Sequence, residues 1–180
     1  MLIGLCGPAG AGKGSVAAVL RSRGFVELSF AGPLYAAVAA ITGIPVERLR
    51  DREVKETSIP WIGKSPRQML QSLGTEWGRQ MVRGDLWIQA AFAEAGQHEK
   101  VVISDVRFAN EAQAISDRGG IVIRVVRPGH SCLTQETATH ASEAGIPDEL
   151  IDAEVVNDGL LGDLSGKVDA AIERLRSPIM

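Results

Sequence analysis

Short runs of apolar residues alternate along the chain with longer segments in which apolar residues recur at helical spacing. These apolar or mainly apolar runs predict strands at 2–6, 25–30, 100–105, 121–126 and 153–156. The periodic segments predict helices at 15–23, 33–41, 66–84, 85–95, 110–118 and 160–175. Runs that are apolar throughout are typical of strands covered on both faces, so we expect an α/β fold with a mostly parallel central sheet.

Two regions interrupt this alternation. In residues 43–63 charged side chains crowd together, and Pro60, Trp61 and Gly63 break any helix before the next helices begin. We therefore expect a helical insertion at about 43–96. Residues of about 127–147 show little periodicity and are predicted to form a mobile loop or lid. A chain of 180 residues fits one domain, 1–180, that carries both regions.

Composition excludes several functional classes. The formal net charge of −3 argues against binding of a nucleic-acid polymer, which needs a basic surface. No apolar stretch approaches the ~18 residues of a membrane span, and the first residues lack the pattern of a secretory signal. The two cysteines, Cys6 and Cys132, form no Cys/His cluster, so no zinc site is expected. These features favour a cytoplasmic protein without a membrane partner.

A glycine-rich turn follows the first predicted strand directly. Gly7, Gly12 and Lys13 have the Walker A spacing G-x-x-x-x-G-K. Glycines allow backbone N–H groups to surround a phosphate, and the next helix directs its positive end at the same anion. Position 14 departs from the pattern, because Gly14 stands where a hydroxyl residue is usual and Ser15 follows it. The loop predicts triphosphate binding and phosphoryl transfer; a glycine-rich turn with a surface lysine is the alternative.

Charged residues follow two further predicted strands. Asp105 closes an apolar run, which is the Walker B pattern for holding Mg²⁺ directly or through water, although an acid there also caps helices. Arg107 is placed to clamp an acceptor phosphate bidentately, or else is an exposed strand-end arginine. Arg124 and Arg127 lead into the predicted lid, where arginine neutralises charge on a transferred phosphoryl group. An ordinary charged loop is the alternative for that pair.

A polar stripe marks the predicted helix that begins after Ser65. Arg67, Gln71 and Thr75 recur at i, i+4 and i+8, so they share one helical face. An arginine, a carboxamide and a hydroxyl suit a phosphate, a base edge and a sugar. The spacing alone also fits a solvated polar face, which is the commoner meaning of such a stripe.

Several segments together resemble one enzyme family, the bacteriophage deoxynucleoside monophosphate kinases. They are GKGS at 12–15, SPRQMLQSLGTEWGR at 65–79, DLWI at 85–88, DVRFANEA at 105–112, HASE at 140–143 and NDG at 157–159. The resemblance covers almost the whole chain. It implies the three-layer P-loop kinase fold with an inserted nucleotide-monophosphate-binding region and a lid. It also implies that ATP and Mg²⁺ are used to phosphorylate dNMPs to dNDPs for DNA precursor synthesis, in the host cytoplasm if the protein is phage-encoded.

The resemblance also implies roles for individual residues. Those expected to bind ATP are Ala9, Gly10, Ala11, Gly12, Lys13, Gly14, Ser15 and Asn157, the last near the adenine. Those expected to bind the dNMP are Arg67, Gln71, Thr75, Asp105 and Arg107. Ser15 and Asp105 would hold the magnesium ion. Lys13, Arg107 and Arg127 would be catalytic. Gly14 departs from the phage members, which often have an acid after the P-loop lysine.

Two other functions fit parts of the sequence. A dephospho-CoA kinase has similar chemistry and a similar core, and a substrate panel separates it from a dNMP kinase. A non-enzymatic nucleotide switch is less compatible, because the sequence has no guanine-reading NKxD motif and because Asp105, the acid that closes the apolar run, is followed by Val106, Arg107 and Phe108 and so does not begin a DxxG motif. The sequence leaves open the preferred base, the discrimination against ribonucleotides and the formation of a homodimer.

Overall fold

The chain divides into two compact units in the computed structural model, which describes residues 1–129 and 146–176. The first, here called the sheet unit, comprises Met1–Ser29 and Ala95–Met180. The second, the helical unit, comprises Phe30–Glu94 and so begins earlier than the expected insertion at about 43–96. None of the helices in the described part combines the length and apolarity that a membrane span requires.

Five parallel strands build the sheet unit. They are β1 (Leu2–Cys6), β2 (Val26–Leu28), β3 (Val101–Ile103), β4 (Ile121–Val126) and β5 (Ala153–Val156). Their order across the sheet is β2-β3-β1-β4-β5. In register, Leu2 lies opposite Val101 of β3, and Cys6 lies opposite Arg124 of β4. The predicted strands are therefore present, and the central position of β1 puts the glycine-rich turn in the middle of the carboxyl edge.

The helices lie between and beyond these strands. They are α1 (Lys13–Arg21), α2 (Gly32–Thr42), α3 (Val46–Leu49), α4 (Arg52–Glu56), α5 (Pro66–Gln71), α6 (Leu86–Ala95), α7 (Ala109–Ser116) and α8 (Leu161–Arg176). A π-helix, Ser72–Val82, continues α5 directly, and a short 3₁₀ turn covers Asp148–Leu150. The two short helices α3 and α4 lie in the charged part of the expected helical insertion, and both end before Pro60.

Side chains on the two faces of β1 pack against different helices. Ile3 and Leu5 are fully buried in a core that α1 and α8 complete. Gly4 points to the other face, where a Cβ atom would lie only 2.5 Å from Ile115 of α7. Since successive strand residues face opposite sides, the sheet is covered by helices on both faces. The sheet unit therefore has the three layers expected from the sequence.

A separate small core holds the helical unit together. Val38 of α2, Leu49 of α3 and Leu70 of α5 are its buried members. Phe30 and Phe92 also meet edge to face, with ring centroids 6.0 Å apart. The start of α5 follows its sequence signals, because the amide of Gln68 donates to the Ser65 hydroxyl in a reciprocal capping box.

The prediction of one α-helix from 66 to 84 is wrong beyond Gln71. From Ser72 onward the backbone is π-helical, with i→i+5 in place of i→i+4 hydrogen bonds. The buried indole of Trp87 donates from Nε1 to the carbonyl oxygen of Gly74 at 2.8 Å. A Cβ atom on Gly78 would lie 2.5–2.7 Å from the same ring. This tertiary contact occupies the carbonyl of Gly74 in the helix, and the spacing of apolar residues in the sequence does not predict it.

Candidate active site

The glycine-rich turn between β1 and α1 has a backbone that only glycine adopts readily. Gly7, Gly10 and Gly12 have φ angles of 129°, 78° and 100°. Two of these glycines are also closely packed. A Cβ atom on Gly7 would lie 2.2 Å from the carbonyl oxygen of Val125, and one on Gly12 would lie 2.1 Å from Nδ2 of Asn157. The turn therefore needs glycine at both ends, as the Walker A pattern predicts.

Lys13 folds back over this turn. Its Nζ donates to the carbonyl oxygen of Gly7 at 2.6 Å and to that of Pro8 at 2.9 Å. Burial lowers the pKa of Lys13, the positive charge of Arg107 lowers it further, and the carboxylate of Asp105 acts in the opposite direction. The charges of Asp105 and Arg107 therefore both act on Lys13. A bound polyanion at this point would stabilise the protonated lysine.

The segment that carries Asp105 and Arg107 is fixed from two sides. The amide of Val106 donates to the carbonyl oxygen of Leu5 at 3.1 Å, which holds the segment against β1. Glu111 is only 2% exposed, and its Oε2 accepts from the amide of Arg107 at 2.9 Å and from that of Phe108 at 3.2 Å. Sequence analysis gave Glu111 no role, although an acid three residues into a helix is a recognised capping signal.

Asn157 lies against the P-loop. Its backbone amide continues the ladder past β5 by donating to the carbonyl oxygen of Val126 at 2.7 Å. Its side-chain Nδ2 donates to the carbonyl oxygen of Ala11 at 3.0 Å. The position near the adenine that the family resemblance implies for Asn157 stays a prediction.

The predicted magnesium ligands supply suitable oxygen atoms. Ser15 is half-buried in the first turn of α1, and Asp105 follows β3 at the same edge of the sheet. Hydroxyl and carboxylate oxygens are the donors that Mg²⁺ prefers, usually together with substrate phosphates. Among residues 1–129 and 146–176 no group of three or more His, Cys, Asp or Glu side chains is arranged to hold a metal ion.

Arg124 lies within β4 and Arg127 follows the strand, and the two side chains have different surroundings. Arg124 forms an ion pair with Asp148 at 2.6 Å and donates to the carbonyl oxygen of Ile146 at 3.0 Å. Arg127 follows the end of β4 and is exposed. Arg124 is thus engaged in holding the chain near the 3₁₀ turn. Most of the predicted lid, including the HASE segment, falls on residues 130–145 and lies outside the described residues.

The three residues of the predicted acceptor stripe belong to the helical unit. Arg67 and Gln71 are exposed on α5, and Thr75 is exposed on the π-helix. Arg67 contacts one carboxylate oxygen of Glu56 through both Nε and Nη2, each at 2.6 Å. The arginine therefore already contacts a carboxylate, and a phosphate could take the place of that carboxylate. Its role in acceptor binding stays a prediction.

Comparison with known proteins decides the family. A family model described as deoxynucleotide monophosphate kinase matches residues 43–168. The chain belongs to the deoxynucleotide monophosphate kinase family. The family predicted from the sequence segments is thereby confirmed, and with it the assignment of the chain as a kinase.

Two relatives illustrate how far the similarity extends. A protein of Acanthamoeba polyphaga mimivirus, whose name ascribes deoxynucleotide monophosphate kinase activity to it, is 38% identical over 79% of this chain and 80% of its own length. The deoxynucleoside-5′-monophosphate kinase of Escherichia phage T5 is 36% identical over 58% of this chain. The matched region spans only 44% of the phage T5 enzyme, so this chain corresponds to about half of that protein.

A solved structure supports the fold. The dephospho-CoA kinase of Campylobacter jejuni matches 99% of this chain and 98% of its own, with a TM-score of 0.50 and 13% sequence identity. At that identity the likeness concerns the fold alone. Together with the strand order, it confirms the α/β P-loop kinase fold that the sequence predicted.

Proposed function

We propose that this kinase transfers the γ-phosphoryl group of ATP, with Mg²⁺, to the 5′-phosphate of a deoxynucleoside monophosphate. An oxygen of the acceptor phosphate bonds to the γ-phosphorus while the bond from that phosphorus to the bridging oxygen breaks, which gives a dNDP and ADP. The observation that carries the proposal is the position of Asp105 and Arg107 on a segment that is hydrogen-bonded to the end of β1, beside the P-loop that carries Lys13, in a chain of this family. Because such nucleotides are cytoplasmic, we place the reaction in the cytoplasm.

The main task of the active site is to bring two polyanions together. The acceptor is already a phosphate dianion, so the reaction needs alignment and charge neutralisation and no strong general base. Lys13 and Arg107 supply two positive charges at the P-loop, and we assign Arg127 a third from the end of β4. The lowered pKa of Lys13 fits this task, because a partly buried cation gains more from a bound anion than an exposed one.

The donor set fits a magnesium ion. Ser15 and Asp105 would hold it, and the ion would neutralise negative charge on the phosphates of the donor. On the acceptor side, we assign Arg67 to the dNMP phosphate, and Gln71 and Thr75 to the rest of the nucleotide. Arg67 would exchange the carboxylate of Glu56 for a phosphate. A phosphate pairs with the guanidinium group in the same bidentate geometry as a carboxylate and carries more negative charge.

A substrate panel tests this function. ADP release is measured with ATP and Mg²⁺ alone and with each dNMP, each ribonucleoside monophosphate and dephospho-CoA. We expect release that depends on added dNMP and falls about a hundredfold or more in Lys13→Ala, since a lost charge in the transition state has this magnitude. The activity that remains in the Lys13→Ala preparation sets an upper limit on the activity of contaminating kinases, because the substitution does not affect them.

Two outcomes contradict the proposal. Release that responds to dephospho-CoA and to no dNMP would make the chain a dephospho-CoA kinase. Release that is independent of every acceptor would leave only a nucleotide hydrolase or switch. Near-normal turnover by Lys13→Ala, with contaminating activity excluded, would remove this lysine from the mechanism.

A further inference from the structure

The backbone around Asn157 is fixed on both sides of the residue. Its own amide donates to the carbonyl oxygen of Val126 in the neighbouring strand. The Nζ atom of Lys167 donates to the carbonyl oxygen of Val156 at 3.0 Å and forms an ion pair with Asp158. The side-chain amide of Asn157 therefore projects from a rigid part of the sheet unit, which is the setting that positions another group accurately.

From this position the amide controls one peptide group of the P-loop. Its Nδ2 donates to the carbonyl oxygen of Ala11 at 3.0 Å. In a trans peptide the carbonyl of one residue and the N–H of the next point in opposite directions. Holding the Ala11 carbonyl toward Asn157 therefore directs the N–H of Gly12 away from it. That N–H is one of the donors that a P-loop offers to a phosphate.

The contact also explains the close packing of Gly12. Nδ2 of Asn157 lies 2.1 Å from the position that a Cβ atom on Gly12 would occupy, so the amide fits only against a glycine. The φ angle of 100° at Gly12 is uncommon even where space allows a side chain. The hydrogen bond from Asn157 holds the loop in this uncommon conformation before any ligand binds.

We propose that Asn157 is a positioning residue, which preforms the P-loop for the phosphates of the donor nucleotide whatever its base. The inference rests on the proposed function for the identity of the donor. It differs from the adenine contact that the family resemblance implies, because a residue that shapes the loop acts on every triphosphate alike. A preorganised donor costs no rearrangement when the phosphate binds, whereas a loosened loop must be ordered at that moment.

Binding of ATP and of inorganic tripolyphosphate at one fixed Mg²⁺ concentration tests the inference. Calorimetry compares the wild type with Asn157→Ala and with Asn157→Leu, which keeps the volume of the side chain. The control is Gln113→Ala, which removes an amide that donates to Asp117 at 2.8 Å on the exposed face of α7. We expect both ligands to bind about fivefold more weakly to the Asn157 variants, the value of one hydrogen bond, and equally well to the control. Hydrogen exchange of the amides in 9–14 should become faster in the same variants.

Each other result overturns the inference. A loss confined to ATP would assign Asn157 to the adenine, and unchanged tripolyphosphate affinity would exclude a role in the loop. No measurable binding of tripolyphosphate to the wild type would show that the loop does not hold phosphate by itself. Loss of cooperative thermal unfolding in both variants would make the amide a support of the fold. None of these measurements needs an acceptor, so a wild type that binds ATP but phosphorylates no dNMP contradicts the proposed function alone.

Discussion

Gly7 and Gly14 lie in the same turn, yet alanine should have opposite effects at the two positions. Gly7 has a φ angle of 129°, and a Cβ atom there would lie 2.2 Å from the carbonyl oxygen of Val125. Gly14 is in the first turn of α1, has no positive φ, and has no atom within 4 Å of the position of a Cβ. The same added methyl group therefore meets backbone at one glycine and open space at the other.

The expected magnitude for Gly7→Ala is the sum of two effects. A residue held in a sparsely populated backbone region costs about 1–3 kcal/mol. Forcing a methyl group into packed structure costs about another 1–3 kcal/mol. The clash is difficult to relieve, because Val125 is paired with Val155 of β5 and its carbonyl belongs to the sheet. The free energy of unfolding should fall by about 2–6 kcal/mol, which lowers Tm by roughly 5–20 °C in a chain of this size.

Gly14→Ala should leave stability unchanged or raise it by up to about 1 kcal/mol, the difference between the two residues in a helix. Thermal and urea unfolding followed by circular dichroism measure both variants under the same conditions. A Tm for Gly7→Ala within about 2 °C of the wild type would show that the loop relaxes away from β4, and would refute the reasoning. A Gly14→Ala protein as unstable as Gly7→Ala would refute it equally.

Three further predictions concern the site and the π-helix. Burial lowers the pKa of Lys13 and a bound triphosphate raises it, so ATP binding should take up a proton at alkaline pH, where the lysine of the free protein has begun to lose its own. The affinity for ATP should fall as pH rises through that range. Calorimetry in buffers of different ionisation enthalpy measures the proton uptake, and ATP binding without it would contradict the prediction. Arg67→Ala should raise the KM for dNMP and not that for ATP, whereas Arg83→Ala, which removes another exposed arginine–carboxylate pair, should change neither; a raised KM for ATP would put Arg67 in the donor site. Gly78→Ala should destabilise the protein by about 1–3 kcal/mol through the indole packed against it, and Gly84→Ala, with open space around it, should not; equal Tm values would exclude the clash.

The parts of the fold that the sequence predicted well depend on local patterns. The strands β1 and β3 contain no charged residue, and the other three strands are mainly apolar with one charged residue each. The cap at Ser65 is a short-range signal in which hydroxyl and carboxamide lie three residues apart. Such patterns act over a few residues, so they are visible in the chain before it folds. The P-loop belongs to the same class, because its glycines and Lys13 are consecutive in the sequence.

The π-helix could not be predicted in this way. Apolar spacing in residues 72–82 is compatible with any regular helix, and the i→i+5 pattern is observed where Trp87 packs beside Gly74 and Gly78. Trp87 is distant in sequence, so its contact depends on tertiary packing. Glu111 is a different case, because its contacts with the amides of Arg107 and Phe108 span only four and three residues, and the capping signal in the sequence could have predicted them.

The P-loop joins these two kinds of information. Its chemistry is local, because the spacing of Gly7, Gly12 and Lys13 alone predicted a phosphate site. Its shape is not local, because Gly7 is packed against a carbonyl of β4 and Gly12 against an amide that follows β5. The strands β4 and β5, which lie next to β1 and one strand further in the sheet, thus help to determine the conformation of the loop amides. A substitution distant from the loop in sequence, at Asn157, is therefore expected to change phosphate affinity while the Walker motif remains intact.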